Sequence, residues 1–159
     1  MEIPSGTRKR SFSIIVADDD SDDRELFEEA ATFADPGISI TLAHDGEELM
    51  DQLLNRSLLP DMIFLDLNMP RKNGKECLTE IRAIDRLHGI PVIIYSTSLN
   101  PSDIEETFNQ GARHFFRKPN SFEELKQILF KLLGKYRPVA EMQKWENFML
   151  NENHKTSGS

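Results

Sequence analysis

The chain has 159 residues, 38% hydrophobic and 29% charged, the proportions of a single soluble globular domain rather than a disordered segment. A net charge of -8 argues against sequence-independent binding to nucleic acid, which needs a basic face, and the single cysteine, Cys77, excludes an internal disulfide and a cysteine-rich zinc site. No apolar run approaches a membrane span and the N-terminus lacks a signal-peptide stretch, so a cytoplasmic protein that does not engage a membrane is expected.

Residues 1–10, with Arg8, Lys9 and Arg10, read as a flexible, solvated leader. The first strand is expected at 12–17, followed by Asp18-Asp19-Asp20 and a helix after Ser21 with Leu26, Phe27, Ala30, Ala31 and Ala34 on one face. A second strand at 38–43 leads to a capping box, Asp45 with Glu48, before Leu49, Leu53 and Leu54. The third strand, 62–67, contains Met62-Ile63-Phe64-Leu65, a continuous apolar run of the kind buried on both faces, and Gly74 opens the next helix. The fourth strand, 92–95, precedes a helix begun by Asn100 and Pro101 and stopped at Gly111. The fifth, 114–116, is short and mixed and belongs at a sheet edge. Ser121 with Glu124 caps a final helix, with Gly134 expected beyond its end. Five strand-then-helix units joined by right-handed crossovers make one α/β, doubly wound parallel sheet. The domain is therefore expected over 11–135. Residues 136–159 form an extension, partly helical through Val139, Met142, Trp145 and Met149 and then disordered.

In an open sheet of this kind ligands bind beyond the carboxyl ends of the strands. Asp18, Asp19 and Asp20 end the first strand, Asp66 the third, Ser96 and Thr97 the fourth, and Lys118 the fifth. Carboxylates about 5 Å apart at an effective dielectric near 20 repel by roughly 3 kcal/mol per pair. One lysine cannot balance them, but Mg²⁺, bound through carboxylates, waters and phosphate oxygens, can.

The blocks Ile14-Ile15-Val16-Ala17-Asp18-Asp19-Asp20, Phe64-Leu65-Asp66-Leu67-Asn68-Met69-Pro70 with Gly74, Ser96-Thr97, and Phe115-Phe116-Arg117-Lys118-Pro119 resemble the receiver domain of two-component response regulators. The stretch from Asp66 through Arg71-Lys72-Asn73 to Gly74 also resembles the single-domain regulators that serve bacterial phytochromes. The resemblance implies a flavodoxin-like sheet of five strands, order 2-1-3-4-5, with five helices. It implies that Asp66 accepts a phosphoryl group, and that Asp18, Asp19, Asp66 and the Asn68 backbone carbonyl hold Mg²⁺. Lys118 and Ser96 would contact the phosphoryl oxygens, and Ser96 with Phe115 would carry the switch. The implied function is a stand-alone response regulator of a phosphorelay, catalysing only its own phosphorylation and dephosphorylation. Its implied partners are a histidine kinase or phosphotransfer protein and a downstream protein, with a diffusible regulator, a relay intermediate and a homodimer all open.

The plainer roles are expected elsewhere. Asp20, Asp22 and Asp23 favour a helix dipole, Cys77 is a small buried hydrophobe, and His44, His88, His114 and His154 lack metal-ligand spacing and read as solvated or loop residues. Two other functions fit the residues less well. A haloacid-dehalogenase-type phosphatase would want a second Asp where Asn68 stands and a cap domain for which there is no length. A degenerate receiver acting as a scaffold has no support, since each expected residue type is present.

Overall fold

A computed structural model describes residues 11–136. The expected leader and the extension beyond Tyr136, including its apolar positions, lie outside the described residues. The elements alternate strictly: β1 (Ser13–Ala17), α1 (Ser21–Ala34), β2 (Ser39–Ala43), α2 (Gly46–Asn55), β3 (Met62–Asp66), α3 (Gly74–Ala83), β4 (Val92–Ser96), α4 (Pro101–Asn109), β5 (His114–Arg117) and α5 (Phe122–Tyr136). All neighbouring strands are parallel and the order is β2-β1-β3-β4-β5, as expected.

Strand alternation splits the interior into two cores. Ile15, Ala17, Ile63, Leu65, Val92 and Ile94 face α2 and α3, packing on Leu49, Leu53, Cys77, Leu78 and Ile81. Ile14, Val16, Met62, Phe64, Ile93 and Tyr95 face α1 and α5, packing on Phe27, Ala30, Ala31, Leu125 and Leu129. The central strands β1, β3 and β4 are thus buried on both faces, while the edge strands β2 and β5 are only half-buried.

Helix starts are fixed by short polar side chains. The cap of α1 is Asp20, whose carboxylate accepts the Asp23 N–H at 3.0 Å, so Ser21 is the first helical residue rather than the residue before it. Asp45 caps α2 through the Glu48 N–H at 2.8 Å, but the Glu48 carboxylate turns back to the His44 N–H, one residue earlier than a reciprocal box requires. The full capping box belongs to α3, where Asn73 and Glu76 exchange bonds of 2.9 Å. Asn100 and Pro101 start α4 as expected. The expected stop at Gly134 is not observed: α5 runs on to Tyr136, because Leu132 and Leu133 bury in the α1–α5 core and hold the last turn against glycine's low propensity. Leu26, expected on the packed face of α1, is instead 40% exposed.

Two glycines set close backbone contacts. A Cβ on Gly46 would collide with the Lys72 carbonyl oxygen and lie 2.7 Å from Cys77 Sγ. A Cβ on Gly74 would collide with the Asp66 carbonyl oxygen and lie 2.8 Å from Leu67 Cα. Gly74 therefore lets α3 start against the strand end that carries Asp66. Gly46→Ala is expected to lower stability in urea titration by about 2 kcal/mol, the usual cost of overpacking. Gly89→Ala, with nothing within 4 Å of its added methyl, should stay within about 0.5 kcal/mol of the parent.

Candidate functional site

The strand ends converge as the sequence indicates. Asp18 follows β1 directly and is tied to the sheet by its N–H to the Ala43 carbonyl at 3.1 Å. Asp66 is the last residue of β3, paired in register with Tyr95 of β4. Among the described residues, Asp18, Asp19 and Asp66 form the one cluster of potential metal-ligating side chains, each offering an oxygen within 4.8 Å of the others. Asp18 is fully buried, Asp66 is 4% exposed, and Asp19 is exposed. Two enclosed carboxylates with a third at the mouth suit a hard divalent cation that keeps part of its water shell.

Lys118 reaches into this cluster from the residue after β5. Its backbone N–H bonds the Ser96 carbonyl at 2.8 Å, fixing the lysine beside the end of β4. Its ammonium lies 2.9 Å from Asp18 Oδ2, 2.9 Å from Asp23 Oδ2 and 3.2 Å from Asp66 Oδ2, which occupies all three N–H groups. Asp23, read as a helix-dipole acid, is therefore also a direct partner of the site lysine. Asp20 and Asp22 lie at the helix start as expected, Asp20 as the cap.

The remaining site residues fall around this centre. The Asn68 N–H bonds Asp66 Oδ1 at 3.3 Å, and its side chain is exposed. Ser96 is 1% exposed at the end of β4, its Oγ accepting the Ser98 N–H at 3.4 Å, whereas Thr97 is exposed. Phe115 is half-buried against the α2–α3 core, on the same side of the sheet as Ile94. Tyr95 was read only as a strand residue, yet its hydroxyl donates to Asp18 Oδ2 at 2.7 Å. Arg24 donates to the Asp18 backbone carbonyl at 2.7 Å. His114 is not a loop residue; it lies half-buried in β5 with its Nε2 2.7 Å from the Tyr136 hydroxyl. Burial of Cys77 pushes its thiol up to about 12, so it is an inert core residue as expected.

Electrostatics follow from this enclosure. Burial pushes the Asp66 carboxyl up to about 7; the Lys118 charge opposes the shift and the Asp18 charge adds to it. Burial also works against the Lys118 ammonium, but hydrogen bonds to Asp23 and Asp18 outweigh it and hold the lysine charged. Burial first, and then the Asp18 charge, raises the Tyr95 hydroxyl well above its usual range, so it remains a donor.

The model of the response regulator receiver domain matches residues 14–130. The chain belongs to this family. The response regulator MprA of Mycobacterium bovis is 31% identical over 128 residues, which are 80% of this chain and 53% of MprA. This receiver chain spans about half the length of the curated relatives it matches. Among solved structures, the phosphorylated cyanobacterial phytochrome response regulator RcpA superposes with a TM-score of 0.74 and 30% identity, over 79% of this chain and 94% of RcpA. The Mn²⁺-bound response regulator Rcp1 superposes with a TM-score of 0.69 and 26% identity, over 76% of this chain and 90% of Rcp1. The expected flavodoxin-like receiver fold and the expected family are both borne out. No helix among the described residues is long and apolar enough to cross a membrane.

The raised Asp66 carboxyl has a consequence for the metal-free receiver. Its folded proton leaves near pH 7 and its unfolded proton near pH 3.9, so between these values the folded state binds more protons. Stability from this group is present at low pH and is lost as pH rises toward 7. Asp66→Asn removes the ionisation and should stabilise the metal-free protein by about 2 kcal/mol more at pH 8 than at pH 5 in urea titration. An equal effect at both values would refute the assignment.

Proposed function

We propose that this receiver is a single-domain, phosphorylation-controlled switch of a two-component phosphorelay, in which Asp66 accepts the phosphoryl group. The observation that carries this is a buried Asp66 with Lys118 Nζ at 3.2 Å and the Asp18 and Asp19 oxygens within 4.8 Å. One Asp66 oxygen forms the new O–P bond while the bond from phosphorus to the donor breaks. With a kinase phosphohistidine that bond is P–N, and its electron pair leaves on the imidazole nitrogen. With acetyl phosphate it is P–O, and acetate departs. The product is an acyl phosphate, later hydrolysed by water.

Asp18, Asp19, Asp66 and the Asn68 backbone carbonyl would hold Mg²⁺, with support from the chemistry of the donor set and from the Mn²⁺ bound to Rcp1. When bound, Mg²⁺ would neutralise the clustered carboxylates and lower the charge repulsion that opposes transfer. Lys118 pairs with Asp66 before transfer and with a phosphoryl oxygen afterwards, a charge-assisted contact on either side of the reaction. Ser96 donates its hydroxyl to another phosphoryl oxygen, and Phe115 on the neighbouring strand follows the vacated space inward. The exposed Asn68 side chain stands where it can influence the attacking water during dephosphorylation.

The output is a changed surface over α4, β5 and α5. Partners would be a histidine kinase or phosphotransfer protein upstream and a protein downstream, with a second copy of the chain as one candidate. The folded domain is proposed to span residues 11–135, flanked by a leader and a C-terminal extension, with a cytoplasmic location.

Intact mass after incubation with acetyl phosphate tests the chemistry. One phosphoryl group should be gained by the wild type with Mg²⁺, and none without Mg²⁺ or with Asp66→Asn; a gain by Asp66→Asn would refute Asp66 as acceptor. Lys118→Ala should still gain some phosphoryl group, yet the amide spectrum of α4, β5 and α5 should remain that of the unphosphorylated state. A wild-type-like spectral change in the phosphorylated variant would remove Lys118 from signal transmission.

A further inference from the structure

Asp18 is fully buried, and both oxygens of its carboxylate need donors. Oδ1 accepts the Asp20 N–H at 3.0 Å. Oδ2 accepts two bonds, one from the Lys118 ammonium at 2.9 Å and one from the Tyr95 hydroxyl at 2.7 Å. Tyr95 is itself 2% exposed and fixed by its ring, which lies 5.4 Å from Phe27 and stacks on Phe116 at 5.7 Å. It has no freedom to swing its hydroxyl elsewhere. Lys118, by contrast, ends a flexible stem, and its third partner Asp23 lies on the more open side of the site.

Phosphorylation would add oxygens to Asp66 that compete with Asp18 for the Lys118 ammonium. An ammonium that turns to them loosens its bond to Asp18, and the Tyr95 hydroxyl is then the donor that stays on Oδ2 and keeps the carboxylate aimed toward the Mg²⁺ it would hold. We propose that Tyr95 is a positioning residue of the phosphorylation site, its hydroxyl keeping Asp18 satisfied and in place so that Lys118 is free to turn to the phosphoryl group. The proposal rests on the reading of Asp66 as phosphoacceptor. It gives a role to the residue before the switch hydroxyl: Tyr95 faces the α1–α5 core, whereas Ser96 faces the opposite side of β4.

The test is Tyr95→Phe, which keeps the ring and removes only the donor. Two affinities are read: Mn²⁺ alone, by electron paramagnetic resonance, and beryllofluoride at saturating Mg²⁺, by calorimetry. With metal alone Lys118 can stay on Asp18, so Mn²⁺ affinity should change less than threefold. With beryllofluoride on Asp66 the lysine is needed elsewhere, and affinity should fall about tenfold. Equal losses in both would indicate a merely distorted site and overturn the proposal. A loss confined to Mn²⁺, or no loss in either, would overturn it too. Failure of the underlying reading looks different, because the wild type itself would then bind no beryllofluoride and gain no phosphoryl mass.

Discussion

One ammonium faces more carboxylate than it can neutralise, and the architecture of this domain is organised around that imbalance. Lys118 bonds Asp18, Asp23 and Asp66 at once, while Asp19 stands at the mouth of the same cluster. Like charges this close, taken out of water, push each other apart or take up protons. Asp66 does the latter, its carboxyl rising to about 7 because burial outweighs the lysine beside it. A site left with surplus negative charge suits a divalent cation.

Holding such a site together falls to neutral donors and one guanidinium. The Asp20 N–H, the Tyr95 hydroxyl and the Asn68 N–H fix the two buried carboxylates, and Arg24 secures the Asp18 backbone from the first turns of α1. Gly74 allows α3 to begin in contact with the Asp66 carbonyl, where any side chain would force the strand end away. Arg71, in the loop between them, adopts a left-handed φ of 66° and is held there by its 2.9 Å ion pair with Asp45, the cap of α2. That conformation costs of order 1 kcal/mol for a residue with a side chain. It is the local expense of the turn that the Gly74 N–H closes on the Leu67 carbonyl at 2.9 Å.

Much of this was legible in the amino-acid order. Met62 to Leu65 and Val92 to Ile94 could only be buried strands, and polar residues that abruptly follow such runs must lie at the sheet's carboxyl edge. That logic locates Asp18, Asp66, Ser96 and Lys118 without further help. It does not reach Tyr95 or Asp23. Tyr95 sits inside an apolar strand, where an aromatic residue reads as core, and its acceptor is 77 positions away in the chain. Asp23 satisfies the helix dipole from the same position in which it meets Lys118, so the local explanation conceals the distant one. Gly134 misled for the reverse reason: glycine marks a helix end only when tertiary packing does not hold the next turn, and here Leu132 and Leu133 do.

The two sides of the site differ in how firmly they are built. β1 and β3 are buried along their whole length, so Asp18 and Asp66 sit on the least movable part of the sheet. β5 is an edge strand that is only half-buried, and the neighbouring α4 buries Thr107 while leaving Phe108 74% exposed. Rearrangement of such an element disturbs little apolar contact and costs correspondingly little free energy. Ser96 and Lys118, joined by a backbone bond of 2.8 Å, stand at the boundary between the rigid side and the yielding one. Each strand end on its own is ordinary turn chemistry. Their arrangement sets stiff carboxylates at the centre of the sheet and a loosely packed edge strand beyond β4.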